Sequence, residues 1–101
     1  YMLHGVRYAV DTWKEMLIQV CGHILLEKRS TIEWLCANEK CSFSTTPEEW
    51  RRELAPGIYV WTNNSTATKI NILHGMFEEC NIPTSELVFE FRSVQEGEDE
   101  K

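Results

Sequence analysis

The segment Gly57–Ile70, GIYVWTNNSTATKI, carries a run of polar residues where a strand is expected to turn into a helix. Backbone N–H groups at a helix start bind anions when no side chain occupies them. Asn63 and Ser65 could add donors there, and Lys69 could add charge. However, the turn has no glycine to bring the backbone close to a ligand, and the hydroxyl of Ser65 or Thr66 can cap the same N–H groups. The sequence therefore leaves open whether this segment binds an anion or only caps the helix.

A second candidate site combines tryptophan with basic residues. The stretch EEWRREL places Arg51 and Arg52 beside Trp50, and Lys40 lies in the preceding loop. If these side chains converge with Lys69, they form a small patch suited to a phosphate or an unpaired base. In the alternative, Trp50 packs into the core and both arginines pair with neighbouring glutamates. The candidate phosphate or nucleic-acid patch comprises Lys40, Trp50, Arg51, Arg52, Asn63, Ser65 and Lys69.

Four cysteines raise the question of zinc or thiol chemistry. Cys36 and Cys41 have a tolerable ligand spacing, and Cys21 with His23 could complete a set of four. Against this, Cys21 falls on the apolar face of a predicted helix, whereas His23 points elsewhere. A catalytic thiol needs a lowered pKa and a nearby base, and no oxyanion-forming turn adjoins any cysteine. We therefore predict no metal, no cofactor and no catalytic residue.

The composition is that of a small globular domain. The 101 residues fit one domain, and 43% hydrophobic residues are enough for a core. The formal net charge is −6, and the segment 96–101, with four acids and one base, contributes −3 of it. A net-acidic body lowers the expectation of nonspecific nucleic-acid binding, which depends on Lys and Arg. We predict one α/β domain over residues 1–95 and a disordered acidic tail over 96–101.

The compartment is predicted from the apolar pattern and the cysteines. No apolar run approaches the ~20 residues that span a bilayer, and no signal segment opens the chain. Long apolar helices with few Gly and Pro indicate a core that needs no disulfides. We therefore expect a cytoplasmic protein without membrane contact.

In the first half of the chain, periodicity predicts one strand and two helices. Gly5–Val10 alternates like a half-buried strand. Thr12 and Glu15 have the spacing of a capping box, and the apolar stripe that follows predicts a helix from about Thr12 to Lys28. A short second helix is expected over Ser30–Asn38, with Ser30 as its cap.

In the second half, two strands and two further helices are expected. Thr46 as cap and Pro47 at the first helical position predict a third helical segment in TTPEEWRREL. Ile58–Thr62 is uncharged, β-branched and aromatic, so it is the predicted central strand. A long helix is expected over Ser65–Cys80 and a last strand over Glu86–Val94. The predicted apolar face of that helix comprises Ala67, Ile70, Leu73, Phe77 and Cys80.

The resulting order is β-α-α-α-β-α-β. It predicts a two-layer α+β or α/β domain, with a small three-stranded sheet and helices packed on one face. Because a helix separates the last two strands, they are expected to be parallel and joined by a right-handed crossover. The direction of the first strand stays open.

Three stretches of the chain share a set of distinctive positions: Gly5, Tyr8, Val10, Thr12 and Trp13 in the first, Thr62, Asn63 and Ser65 in the second, and Glu86, Leu87, Glu90 and Phe91 in the third. Together they resemble a prokaryotic accessory domain of no settled function, often C-terminal in helix-turn-helix, nuclease and restriction-associated proteins. The resemblance covers roughly residues 4–92. It implies an attached module associated with nucleic acid, and it carries no catalytic residues.

Together these observations predict a non-catalytic accessory binding module of a larger prokaryotic protein. We expect association with DNA-acting systems of restriction, defence or regulation, through DNA or RNA contact at the small patch. The alternative is a protein–protein or dimerisation module without nucleic-acid contact. Trp61 is then the candidate interaction surface, because it lies opposite Ile58, Val60 and Thr62 on the predicted central strand.

Overall fold

The computed structural model describes residues 1–90, so the acidic tail and the end of the predicted last strand, including Phe91, lie outside the described residues. Within them, three helices and two three-stranded antiparallel sheets share one core. The helices are α1 (Trp13–Glu27), α2 (Arg29–Ala37) and α3 (Thr66–Glu79), with a 3-10 turn at Thr84–Glu86. The strands are β1 (Met2–Leu3), β2 (Val6–Arg7), β3 (Phe43–Ser44), β4 (Arg51–Ala55), β5 (Ile58–Trp61) and β6 (Leu87–Val88).

The first long helix forms as its sequence pattern predicts. The hydroxyl oxygen of Thr12 accepts a hydrogen bond from the Glu15 N–H at 3.0 Å and caps α1. The apolar stripe faces the core, so both the cap and the stripe are confirmed. The buried residues of α1 are Met16, Leu17, Val20, Cys21, Ile24 and Leu25.

Helix α2 lies close to its predicted position but starts differently. The residue before it is Lys28, which makes no side-chain capping bond. The predicted cap at Ser30 is therefore wrong, because Ser30 already lies inside the helix.

None of the helices within residues 1–90 has both the length and the apolar character needed to cross a bilayer.

Helix α3 confirms the predicted second long helix, but its buried face is turned relative to the prediction. Ala67 is exposed, whereas Lys69 is only 6% exposed. The residue four positions before Leu73, and therefore next to it on the buried face, is Lys69 and not Ala67. The buried residues of α3 are Lys69, Ile72, Leu73, Met76 and Phe77.

The predicted third helix over TTPEEWRREL is wrong. Its second half is strand β4, which pairs antiparallel with β5 through Arg51↔Trp61 and Arg52↔Val60. Pro56 and Gly57 close this hairpin, and Gly57 has φ +80°, the value that the glycine position of a type II turn requires. Strand pairing with the apolar β5 outweighs the local helix signals at Thr46 and Pro47, because propensity is a weak prior.

The predicted parallel pair of strands is also wrong. β5 is the middle strand of the sheet β3-β5-β4, so its central position is confirmed. β6 instead pairs antiparallel with β1 in the other sheet, whose order is β2-β1-β6. Because α3 leads from one sheet into the other, it is not a crossover between neighbouring parallel strands.

The predicted first strand over Gly5–Val10 is replaced by a hairpin. β1 and β2 flank a turn at His4 and Gly5, with φ +52° and +79°. Two consecutive positive φ angles are the requirement of a two-residue type I′ hairpin. Gly5 therefore belongs to the turn, and Val6, predicted to be half-buried, is 52% exposed.

Candidate functional site

The junction between β5 and α3 is closed by its own cap. The Ser65 hydroxyl oxygen accepts from the Thr68 N–H at 3.1 Å, and the Lys69 N–H donates to the Ser65 carbonyl at 3.0 Å. Ser65 also donates its hydroxyl to Thr68 Oγ1 at 3.0 Å. The N–H groups at the end of this first turn are thus occupied, which favours a cap over an anion site.

The buried side chain of Lys69 also stabilises the junction between β5 and α3. Its Nζ donates to the Asn64 carbonyl at 2.6 Å while the residue is only 6% exposed. Burial lowers the pKa of the Lys69 ammonium, and the charge of Lys14 lowers it further. Because the ammonium is turned inward, Lys69 does not join a surface patch for phosphate.

The two asparagines of the junction differ in environment. Asn63 is exposed, whereas Asn64 donates its side-chain N–H to the Trp61 carbonyl at 2.9 Å. The Oδ1 of Asn64 is buried without a hydrogen-bond partner among residues 1–90. Asn64 therefore ties the end of β5 to the start of α3.

Lys40 lies away from both arginines. Its Nζ is 5.3 Å from the centre of the Trp34 ring, a distance typical of a cation–π contact. The Phe43 N–H donates to the Lys40 carbonyl at 3.0 Å, which fixes Lys40 beside β3. β3 and β4 flank β5 on opposite sides, so the predicted convergence of Lys40 with Arg51 does not occur.

Four of the candidate residues do come together at one end of the β4–β5 hairpin. Arg51 and Trp61 are register partners, and the Thr62 N–H donates to the Trp50 carbonyl at 3.2 Å. Trp50 is 46% exposed and Trp61 37% exposed. Directly opposed residues of an antiparallel pair project from the same face. Arg51 and Trp61 therefore project from one face. Arg52, opposite the buried Val60, and Trp50, bonded to Thr62, project from the other face at the same end of the hairpin. We call this end of the hairpin the tryptophan–arginine face; its members are Trp50, Arg51, Arg52 and Trp61.

Within residues 1–90, neither Arg51 nor Arg52 forms the ion pair with a neighbouring glutamate that the alternative interpretation predicts. Arg51 donates Nη1 to the Thr46 carbonyl at 2.8 Å, and its own N–H donates to the Glu48 carbonyl at 3.0 Å. Arg52 is exposed and takes part in no ion pair within residues 1–90. Since Trp50 also remains half exposed, this end of the hairpin presents free aromatic and cationic surface.

The thiols are in settings that suppress reactivity. Burial raises the pKa of Cys21, Cys36, Cys41 and Cys80. A thiol with a raised pKa is mostly protonated near neutral pH and is a poor nucleophile. The ring of His23 packs against that of Tyr8 at an interplanar angle of 44°, with 4.6 Å between the ring centroids. Within residues 1–90, no cluster of three or more His, Cys, Asp or Glu side chains could hold a metal ion.

Two features had no signal in the sequence. The imidazole of His4 lies between two carboxylates, with Nε2 2.9 Å from Glu27 and Nδ1 2.9 Å from Glu86. Tyr59 and Glu53, joined by a 3.4 Å hydrogen bond, border the tryptophan–arginine face. The sequence gives no signal for Glu53 because its segment favours a helix, and none for His4 because its partners are distant in the chain.

A scan against protein-family models found no match for this chain, and searches of the curated proteins and of the solved structures found no significant match. The resemblance to a prokaryotic accessory domain therefore stays a prediction.

Proposed function

We propose that the chain is a non-catalytic binding module of a larger protein, and that the tryptophan–arginine face is its binding surface. One observation carries the proposal: Arg51 lies opposite Trp61 on β4 and β5, with Trp50 at the same end of the hairpin. Tryptophan and arginine dominate the residues that contribute most to protein–protein binding. Here the exposed indole of Trp61 lies beside the half-buried Arg51 on paired strands.

The charge distribution favours a protein over DNA as the partner. The formal net charge of the chain is −6. Of the basic residues in the predicted phosphate patch, Lys40 lies over Trp34 and Lys69 is buried. Only the two arginines of the patch therefore stay available to a phosphate. Since affinity for duplex nucleic acid grows with the number of neutralised phosphates, this surface supplies little of it.

One observation favours a second candidate, single-stranded nucleic acid. A half-exposed indole at Trp61 beside the guanidinium of Arg51 is the pairing of groups on which an unpaired base can stack. This candidate keeps the DNA-acting context that the family resemblance implies, in restriction, defence or regulatory systems. It would use the same face, so a single experiment separates the two.

The non-catalytic assignment is supported by the thiols and by the junction. The thiol pKa values are raised by burial. The Ser65 hydroxyl is committed to Thr68 as a cap. Neither feature supplies an activated nucleophile.

Affinity capture with matched variants tests the proposal. The full chain, Trp61→Ala and Arg52→Glu are used as baits on prokaryotic lysate, with and without nuclease. A protein retained by the unmodified chain, lost with both variants and insensitive to nuclease supports the proposal. Capture that nuclease abolishes, together with salt-dependent binding of a short single-stranded oligonucleotide, selects the second candidate. No capture and a mass that rises with concentration would instead indicate self-association.

A further inference from the structure

We propose that the outer edge of β4 takes up an extended acidic segment of the partner protein, which adds to the sheet β3-β5-β4 as a fourth strand. This inference rests on the proposed function, because it names the class of partner for the tryptophan–arginine face. The partner segment carries acidic residues at two adjacent positions, opposite Arg51 and Arg52.

The backbone groups of β4 alternate in direction along the strand. Among residues 1–90, β4 is the end strand of its sheet and only one of its sides is paired. In an antiparallel pair, residues alternate between those whose N–H and C=O both point to the partner and those whose groups point away. The Thr62 N–H donates to the Trp50 carbonyl, so the backbone groups of Trp50 point towards β5. By alternation the backbone groups of Arg52 also point towards β5, whereas those of Arg51 and Glu53 point away from it.

Two further hydrogen bonds agree with this assignment. The N–H of Trp61, the register partner of Arg51, donates to Ser42 on the β3 side at 3.0 Å. The N–H of Arg51 is taken by the Glu48 carbonyl at 3.0 Å. In the part of the chain that the structure describes, the outward groups left without a backbone partner are the Arg51 C=O and both the N–H and C=O of Glu53.

These three backbone groups are the ones that would form hydrogen bonds with a parallel strand added beside β4. One incoming residue donates its N–H to the Arg51 C=O and accepts from the Glu53 N–H. The residue two positions later donates to the Glu53 C=O. Main-chain hydrogen bonds of this kind give affinity in strand addition, while the side chains give specificity. The register break between Glu53 and Ala55 limits the docking edge to Arg51–Glu53.

Charge then selects the side chains of the incoming strand. In this register one incoming residue lies opposite Arg52 and its predecessor opposite Arg51. Arg52 is exposed and outside every ion pair within the described part of the chain. Because oppositely charged cross-strand pairs stabilise a sheet, acidic residues fit best at these two positions.

A second copy of the chain fits the same edge poorly. An antiparallel β4–β4 pair built on the N–H and C=O of Glu53 sets Glu53 against Glu53. The neighbouring register sets Arg52 against Arg52 at its centre and Arg51 against Glu53 on either side. Like charges directly opposite each other destabilise a sheet, so each symmetric register has a repulsive pair at its centre that the acidic segment avoids.

A peptide titration followed by NMR tests the inference on the full chain labelled with ¹⁵N. The probe is a pentapeptide, Asp-Asp-Val-Thr-Val, which begins opposite Arg51 because the Glu48 carbonyl occupies the position before it. We expect the Glu53 amide to shift downfield, its exchange with solvent to slow by about tenfold, and the Trp61 indole signal to move. Replacing both aspartates by lysines, or N-methylating the donor amides, should weaken binding at least about tenfold. Arg52→Glu should restore affinity for the lysine peptide.

The remaining outcomes contradict strand addition. A shift at Trp61 without a response of the Glu53 amide, or equal binding by the N-methylated peptide, overturns the added strand and leaves the binding face intact. If neither residue responds, the inference also falls. In that case the capture experiment with Trp61→Ala still decides the proposed function independently.

Discussion

Arg51 and Trp61 lie directly opposite each other on β4 and β5, so a guanidinium and an indole ten residues apart in the chain project from one face. The hairpin that joins them is closed by Pro56 and Gly57. The proposed binding surface therefore depends on a strand in a segment whose local sequence favours a helix. This dependence makes the hairpin the first feature to test.

The hairpin is tested by a matched pair of glycine substitutions. Gly57→Ala should lower the free energy of unfolding by about 1 kcal/mol or more, because its φ of +80° is strained for any residue with a Cβ. Gly22→Ala, inside α1 with nothing within 4 Å of the added Cβ, should raise it by about 0.5–1 kcal/mol. Urea unfolding measures both; a neutral or stabilising Gly57→Ala would contradict the turn.

The cap of α3 is tested by comparing two serines. Ser65→Ala removes the acceptor for the Thr68 N–H and should cost about 1 kcal/mol of unfolding free energy. Ser30→Ala is the control, because the structure gives α2 no side-chain cap, and its effect should stay within about 0.5 kcal/mol. Equal losses for both variants would show that Ser65 is not a specific cap.

The contact of His4 with its two carboxylates predicts a pH dependence. The hydrogen bond to Glu86 raises the pKa of His4 above its ordinary value of 6.5, and Glu27 acts in the same direction, while partial burial opposes them. Protonated His4 is thus favoured in the folded state. Its contribution to stability is fully present below about pH 6.5 and is lost as the pH rises through the folded pKa.

This dependence can be measured from urea midpoints between about pH 5.5 and about pH 8.5. The midpoint of the unmodified chain should fall across the upper part of that range, and the fall should be smaller in His4→Gln. The effect should be modest, because the imidazole is 37% exposed. A His4→Gln profile parallel to that of the unmodified chain would remove His4 as the cause.

Local signals predicted the parts of the fold that local physics decides. Thr12 and Ser65 each cap the helix that follows them, and the stripe from Met16 to Ile24 is buried as its spacing indicates. The uncharged Ile58–Trp61 is the central strand of its sheet for the same reason. In each case one short segment contains all the information that is needed.

The errors came from pairing between distant segments. The alternating pattern places Gly5 in a strand, but β1 before it pairs with β2 and makes Gly5 part of the turn between them. Thr46 and Pro47 look like a helix start, yet the same segment completes the sheet beside β5. The candidate site was half predicted for the same reason: Trp50, Arg51, Arg52 and Trp61 converge, while Lys40 and Lys69 are held elsewhere by Trp34 and Asn64.

Binding of the captured partner by two tryptophan variants tests the central claim most directly. Trp61→Ala removes the indole opposite Arg51, whereas Trp34→Ala removes an indole of comparable exposure, 46% against 37%, on α2. The account predicts that Trp61→Ala weakens the equilibrium affinity at least about tenfold and that Trp34→Ala leaves it unchanged. Equal affinity of Trp61→Ala and the unmodified chain, or a loss confined to Trp34→Ala, would contradict it.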